Sequence, residues 1–503
     1  METITSLDMY AADRNAEWLG VPRLALMENA GAAVARAVLS EYPQALKVLV
    51  VAGTGDNGGD GMVAARHLHA GGKAVRVIVL GEPKEELARA NFEALKRTMV
   101  QMAVTGTPEE LLAVQGWFMW ADVIIDAVLG TGIRGKLREP HSTAIDLMNI
   151  ATAPKIAVDV PSGLDPDTGE VRDKAVRAAV TVTFHKAKPG LLKPESVKYV
   201  GKLIVENIGI PPEAELYVGP GDFRRLNFAR RAESKKGDHG RVLVVGGSAE
   251  YSGAPIYVAL AALRSGVDLV IMAEPEPAAV AAKSYSPDLI SVPLSGDRLK
   301  PAHVEKILEL AQRADVVAIG PGLGLELDTQ EAVKSLFSKL SGKKPLVIDA
   351  DAIKALAGLG SVEGNVVFTP HAGEFRALTG VEPPAKLEER IEAVKREAAR
   401  LNAVILLKGR YDVISDGKRV KVNITGTPAM TVGGTGDVLT GLVAGLATKG
   451  KDLLHAAALA AFINGEAGEQ AARELGFHIT ASDLIRFIPS VIKKYADERI
   501  TGS

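Results

Sequence analysis

Val48-Leu-Val-Val-Ala-Gly53-Thr-Gly55-Asp56-Asn57-Gly58-Gly59-Asp60-Gly61 runs without a break into Met62-Val-Ala-Ala-Arg-His-Leu. An apolar run, a glycine-rich turn and a helical run in that order predict a β-strand feeding a helix. Gly53, Gly55 and Gly58 match G-x-G-x-x-G in this context. There, missing side chains let backbone N–H groups and a helix N-terminus approach a pyrophosphate. A tight βα turn that binds nothing would use the same residues, so the surrounding chain has to decide between the two.

Upstream, helical periodicity marks Thr5 to Leu19 and Leu24 to Ser40; downstream, apolar runs alternate with helical segments to about residue 210. Lys47 to Ala52, Val75 to Leu80, Val123 to Asp126 and Lys155 to Val160 are apolar nearly throughout, as parallel strands covered on both faces must be. A doubly wound, Rossmann-like sheet is the predicted fold of residues 1–212. The Pro- and Gly-rich stretch from Ile210 to Asp222 is predicted to be a linker. A second βα series covers 222–503, with strands expected at Arg241 to Val245, Val267 to Ala273, Asp315 to Ile319, Leu346 to Ile348, Val366 to Phe368 and Val404 to Leu407. No repeat period joins the halves, so the chain reads as a fusion of two α/β domains.

Composition narrows the function. Lys plus Arg number 59 against 61 Asp plus Glu, so no global field favours a nucleic acid or an anionic membrane. Cysteine is absent, which excludes disulfides, thiolate metal sites and cysteine nucleophiles. The longest apolar stretches, such as Val438 to Ala447 and His455 to Ile463, fall well short of the roughly 20 residues of a membrane span. Met1 to Asp13 shows no basic-then-apolar leader, so a cytoplasmic location is expected.

Two further loops follow strands in the first half: Asp126-Ala-Val-Leu-Gly130-Thr131-Gly132-Ile133-Arg134-Gly135-Lys136 and Asp159-Val-Pro-Ser162-Gly-Leu-Asp165. A lone Asp after a strand is usually a turn or cap residue. Ligands of open α/β sheets bind beyond the carboxyl ends of the strands, so three such loops should form one site.

Asn57-Gly-Gly-Asp-Gly, Asp126-Ala-Val-Leu-Gly-Thr-Gly and Asp159-Val-Pro-Ser-Gly-Leu together resemble the NAD(P)H-hydrate epimerase family, over about residues 1–212. The resemblance implies that Asp56, Asn57, Gly58, Gly59 and Asp60, the segment Gly130 to Lys136, and Asp159 contact a hydrated NADH or NADPH. It also implies that Asn57, Asp126 and Ser162 bind potassium, for which oxygen-only ligands are suited. Members often carry a second Asn where this chain has Asp56. Phe184-His-Lys-Ala-Lys-Pro-Gly-Leu matches the family more loosely. Asp159 is then the expected acid and base: it would protonate the departing C6 hydroxyl and assist water onto the other face of the iminium.

In the second half, Gly246-Gly-Ser248 to Pro255, Gly320-Pro-Gly322-Leu-Gly324, Thr369-Pro-His371-Ala-Gly-Glu374 and Lys408-Gly409-Arg410-Tyr411-Asp412 each follow a predicted strand. Met430-Thr-Val-Gly433-Gly434-Thr435-Gly436-Asp437 opens an apolar helix. Its glycines can offer N–H groups to a phosphoryl in transit while Asp437 takes the proton of an attacking hydroxyl. The bland alternative is an N-capped helix start.

This set resembles the ribokinase-like superfamily and within it the NAD(P)H-hydrate dehydratase branch, over about residues 222–503. It implies that Ala254, Gly322, His371 and Asp437 touch the hydrated dinucleotide. Lys408, Gly409, Arg410, Tyr411 and Asp412, with Gly436, would touch ADP or ATP, and magnesium would neutralise the nucleotide phosphates. Self-association as a homo-oligomer is implied for both domains. A lone histidine is as often structural as ligand-binding, and the motif favours the ligand for His371. The basic cluster Arg224 to Lys236 reads as a solvated face. Three other readings stand beside this one: an oxidoreductase with Glu82 on the ribose, a vitamin-alcohol kinase, and a non-catalytic dinucleotide-binding module.

Overall fold

A computed structural model describes residues 2–130 and 136–496, and the chain divides into two compact units, Met1–Ala214 and Glu215–Ser503. Unit 1 is built on seven strands: β1 (Lys47–Ala52), β2 (Ala74–Val79), β3 (Gln101–Val104), β4 (Val123–Ala127), β5 (Lys155–Val158), β6 (Val180–Phe184) and β7 (Lys202–Glu206). They lie in the order β3-β2-β1-β4-β5-β6-β7, every pair parallel.

Strand β1 shows why these runs had to be apolar throughout. Val48, Val50 and Ala52 pack into a core with Val34 and Val38 of helix Arg23–Glu41 and Met62 of helix Asp56–Ala70. Leu49 and Val51 point the other way, against Phe118, Ile145 and Met148. Successive side chains of a strand alternate between faces, so a strand covered on both sides has no polar positions left.

Unit 2 carries β8 (Arg241–Val245), β9 (Leu269–Pro275), β10 (Ile290–Leu294), β11 (Val316–Ile319), β12 (Leu346–Ile348), β13 (Val366–Phe368), β14 (Val404–Leu407), β15 (Asp412–Ser415) and β16 (Val420–Asn423). Their order is β10-β9-β8-β11-β12-β13-β14-β15-β16. The pairs through β14 are parallel and the last two antiparallel. The first seven strands of both sheets are therefore wound alike. The chain direction across the sheet reverses between β1 and β4 in unit 1 and between β8 and β11 in unit 2. That reversal opens a crevice at the strand ends.

Two expectations need correction. The stretch from 215 onward is not a free linker: Tyr217 bridges Val422, Val218 N–H donates to Val422 O at 3.0 Å, and Lys421 Nζ donates to Glu215 O at 2.9 Å. Unpaired groups on the β16 edge recruit this segment into unit 2. The strand expected from Val267 starts instead at Leu269, because Gly266 is left-handed and the Asp268 carboxylate turns back to accept the N–H groups of Gly237 and His239.

Candidate functional site

In unit 1 the site residues lie beyond β1, β4, β5 and β6, four neighbouring strands. The glycine turn does two jobs. A Cβ on Gly53 would sit 2.0 Å from Val128 O, so this glycine lets the loop after β1 press against the chain leaving β4. A Cβ on Gly55 would meet nothing within 4 Å, which leaves its backbone open for an approaching ligand. Of the G-x-G-x-x-G glycines, Gly53 and Gly58 are thus occupied by packing.

Asp56 and Asn57 begin helix Asp56–Ala70. Asp56 Oδ2 receives Arg23 Nη2 at 2.8 Å, while Asp56 Oδ1 and Asn57 Nδ2 are buried without a hydrogen-bond partner. Gly130 packs against the Asn57 side chain, and the adjacent Leu129 N–H donates to Ser162 Oγ at 2.8 Å. Ser162 Oγ donates in turn to Asp126 Oδ1 at 2.6 Å, and Ser162 N–H to Asp126 Oδ2 at 2.8 Å. Asp126 and Ser162 are fully buried, and burial raises the Asp126 carboxyl to about 6 despite those donors. Asn57, Asp126 and Ser162 are thereby gathered around the 129–130 backbone. Thr131, Gly132, Ile133, Arg134 and Gly135 lie outside the described residues, and Lys136 is exposed.

Asp159 follows β5 with φ of +61°, a left-handed conformation that a non-glycine residue adopts only where its surroundings hold it. Its Oδ1 accepts Thr183 Oγ1 at 2.9 Å, Phe184 N–H at 3.4 Å and the Lys188 ammonium. The sequence reading missed Lys188, which is fully buried, and Asp13 on helix Ser6–Trp18. Burial, reinforced by the Asp159 and Asp56 charges, raises the Asp13 carboxyl to about 7. The same causes push Asp60 well above its ordinary value. The only signal for Lys188 was the loose match at 184–191; nothing local marked Asp13.

In unit 2 the site residues follow β8, β11, β12, β13 and β14, with Gly434, Gly436 and Asp437 at the start of helix Thr435–Ala447. Gly322 lies against Tyr251 and Ala254, joining the loops after β8 and β11. Gly434 caps helix Thr435–Ala447 with φ of +94°, and a Cβ there would stand 2.8 Å from the Tyr257 ring. Both the backbone sign and the close ring require glycine. Asp437, in the first turn of that helix, has its carboxyl raised to about 7 by burial and then by the Asp349 charge.

Asp349 was not singled out from the sequence, yet it is the hub of this site. Its Oδ1 accepts Lys408 Nζ at 2.9 Å and its Oδ2 accepts Thr440 Oγ1 at 2.6 Å. Lys408 Nζ also lies 4.0 Å from Glu374 Oε2. Burial works against the Lys408 charge, but Asp349 and Glu374 outweigh it and raise its pKa. His371 caps helix Ala372–Thr379: Nδ1 accepts Gly373 N–H at 3.0 Å, which leaves Nε2 to donate to Glu374 Oε1 at 3.2 Å. Its ring remains more than half exposed, so capping and ligand contact are compatible. Asp412 faces inward, accepting Gly409 N–H at 2.9 Å and Asn423 Nδ2 at 3.0 Å. Tyr411 is exposed under the Arg410 guanidinium, 4.9 Å from ring centre. Of the basic cluster, Arg225 pairs with Asp222 at 3.2 Å and Arg230 with Asp268 at 3.0 Å.

Among the described residues no helix is long and apolar enough to cross a membrane, and no three His, Cys, Asp or Glu side chains are grouped to hold a metal ion.

A family described as NAD(P)H-hydrate dehydratase matches residues 242–490, and one described as YjeF-related protein N-terminus matches residues 23–190. The bifunctional NAD(P)H-hydrate repair enzyme Nnr of Pyrobaculum aerophilum is 71% identical over 501 residues, covering 99% of this chain and 100% of its own. The protein of the same name from Hyperthermus butylicus is 47% identical over 505 residues, covering 98% and 92%. A solved ribokinase-like superfamily protein from Enterococcus faecalis V583 covers 56% of this chain and 96% of its own, at 26% identity and a TM-score of 0.50.

Proposed function

This chain belongs to the bifunctional NAD(P)H-hydrate repair enzymes, and from that premise we propose that unit 1 interconverts the C6 epimers of hydrated NADH and NADPH while unit 2 dehydrates the S epimer. The observation that carries the reading is the pair of strand-end crevices, one centred on Asp159 and the other on Asp437 at a glycine-capped helix start.

In unit 1 Asp56 to Asp60, Gly130 to Lys136 and Asp159 hold the hydrated dinucleotide. The C6 hydroxyl leaves as water with a proton from Asp159, the ring nitrogen lone pair forming the iminium. Addition of water to the opposite face, its proton returning to Asp159, completes inversion. The oxygens of Asn57, Asp126 and Ser162 fit potassium: they are hard donors gathered at one place with one formal charge between them, and the Asp126 carboxylate is fully buried with no cationic side chain among the described residues paired to it. Potassium bound there would keep Asp126 ionised and fix the Gly130 loop.

In unit 2 Ala254, Gly322, His371 and Asp437 meet the S epimer, while Lys408 to Asp412 and Gly436 meet ADP or ATP. Asp437 takes the C6 hydroxyl proton as the oxygen attacks the terminal phosphoryl, releasing AMP or ADP. The C6–O bond then breaks toward phosphate, driven by the ring nitrogen, and loss of a C5 proton restores the reduced ring. Both oxygens of Asp349 and of Glu374 already accept hydrogen bonds from Lys408, Thr440 and His371, so magnesium would arrive with the nucleotide, held by its phosphates and water. Magnesium supplies charge neutralisation on those phosphates.

The test is chemically hydrated NADH, both epimers, incubated with the protein, ADP or ATP, magnesium and potassium. The expected result is complete return of reduced-nicotinamide absorbance with one phosphate released per ring restored. A phosphorylated product that accumulates would instead mark a vitamin-alcohol type of kinase, and return of only half the absorbance would mean that unit 1 does not epimerise.

A further inference from the structure

The buried ammonium behind Asp159 has no place in the reaction just described. Lys188 lies beyond β6 and is fully shielded from solvent. An ammonium has three hydrogens, and here each has an acceptor: Asp159 Oδ1, Thr183 Oγ1 at 3.1 Å and Phe184 O at 3.2 Å. No hydrogen remains for a substrate. Thr183 Oγ1 and Phe184 N–H also converge on Oδ1, so among the described contacts all three donors fall on one oxygen of the carboxylate. Asp159 Oδ2 receives none, and the side chain keeps 14% exposure.

We propose that Lys188 is a positioning residue of the epimerase site: it clamps Asp159 Oδ1 against β6 and leaves Oδ2 as the oxygen that exchanges the proton at C6. The inference rests on the catalytic reading of Asp159. Its physical content is pre-organisation. The left-handed backbone at Asp159 needs something to hold it, and a saturated, unhydrated ammonium does so with a fixed charge and fixed geometry.

Several charges face this group. Asp13 comes from helix Ser6–Trp18, Arg23 from helix Arg23–Glu41, and Asp56 and Asp60 from helix Asp56–Ala70. Lys188 is the fully buried cation among carboxylates that otherwise repel one another. Its charge holds down the carboxyls of Asp13 and Asp60; removing it favours their protonation, so the pH dependence of epimerisation should move upward.

The experiment measures epimerisation of separated R and S hydrates without ADP, by chromatography, across pH, in the full-length protein. Lys188→Met, Lys188→Arg, Thr183→Val and Asp159→Asn are compared, with dehydration of the S epimer as a control in each. Lys188→Met is expected to lose about 100-fold or more in kcat, the scale of a misplaced general acid or base, with KM within about threefold and the pH profile displaced upward. Lys188→Arg should recover part of kcat and the original profile. Thr183→Val keeps the ammonium but removes one donor, so kcat should fall by about tenfold with the profile unmoved. A Lys188→Met protein with wild-type kcat and profile overturns the proposal while leaving Asp159 intact if Asp159→Asn is inactive. An active Asp159→Asn defeats the catalytic reading itself. If Lys188→Met fails to fold, a wild-type kcat in Thr183→Val overturns the clamp.

Discussion

Lys408 Nζ donates to Asp349 Oδ1 at 2.9 Å, so the lysine taken from sequence as a nucleotide contact has its charge already engaged at the end of β12. The pair sits beside Glu374 and Asp437, which makes Lys408 the counter-charge of an acidic cluster as well as a neighbour of the phosphoryl loop. A nucleotide phosphate arriving there would share an ammonium with Asp349.

Lys408→Met should accordingly cost stability as well as dehydration. Breaking a buried pair by removing one partner costs about 3–5 kcal/mol, because the other charge is stranded. Urea unfolding of unit 2 should shift to a lower midpoint, while Lys408→Arg should shift far less. A Met variant as stable as the parent would mean that Asp349 is not held by this ion pair.

Asp437→Asn should separate the two activities. Dehydration is expected to fall by about 10²–10⁴-fold, the usual contribution of a positioned base, and epimerisation should be unchanged because Asp159 lies in the other unit. Epimer interconversion without nucleotide and absorbance return with nucleotide, measured on one preparation, decide it.

Glu274 on β9 is fully buried, and although Ser291 stands close enough to ease its charge, no well-formed hydrogen bond reaches either carboxylate oxygen. Burial raises it from 4.5 to about 7. Between those values the folded state holds a proton that the unfolded state has released, so stability falls as pH rises from about 4.5 to about 7 and stays lower above. The shift corresponds to about 3 kcal/mol. Glu274→Gln should remove this decline, with a higher Tm than the parent at pH 8 and little difference at pH 5. Parallel Tm-against-pH curves would show that Glu274 does not titrate within the fold.

Ser162→Ala removes both the donor to Asp126 and the acceptor of Leu129 N–H. Asp126 keeps the N–H groups of Val128 and Ser162, but leaving Leu129 N–H without its acceptor costs about 1–3 kcal/mol, and the Gly130 loop should lose its anchor. Epimerisation is expected to fall sharply and to stop responding to potassium in place of sodium. Equal parent activity in either salt would exclude potassium from the site, and unchanged epimerisation in the variant would exclude the anchor.

Local order was legible because it obeys local rules. The strand–glycine–helix run at 48–68 predicts a doubly wound sheet, and the uniformly apolar strands were recognisable because both faces are covered. Strands β3, β6, β7, β10, β15 and β16 were not singled out; β15 and β16, Asp412-Val-Ile-Ser and Val420-Lys-Val-Asn, are too mixed in polarity to stand out as apolar runs, and their antiparallel pairing is decided by partners distant in sequence. The same limit governed the sites. Asp126, Asp159, Ser162, Asp437 and the glycine loops stand in contiguous motifs at strand ends and a helix start, so they could be picked out locally, and the resemblance of those motifs to known families supplied their expected roles.

Lys188, Asp13 and Asp349 carry no such mark, because a buried charge acquires its meaning from groups on other strands and helices. The opening stretch, Val48 to Gly61, determined by itself the strand, the turn and the helix. Tertiary packing decided which glycines remain open to a ligand: Gly53 is occupied by the chain leaving β4 and Gly55 is free. No residue near them in sequence records that difference, since it is set by where Val128 lies in space.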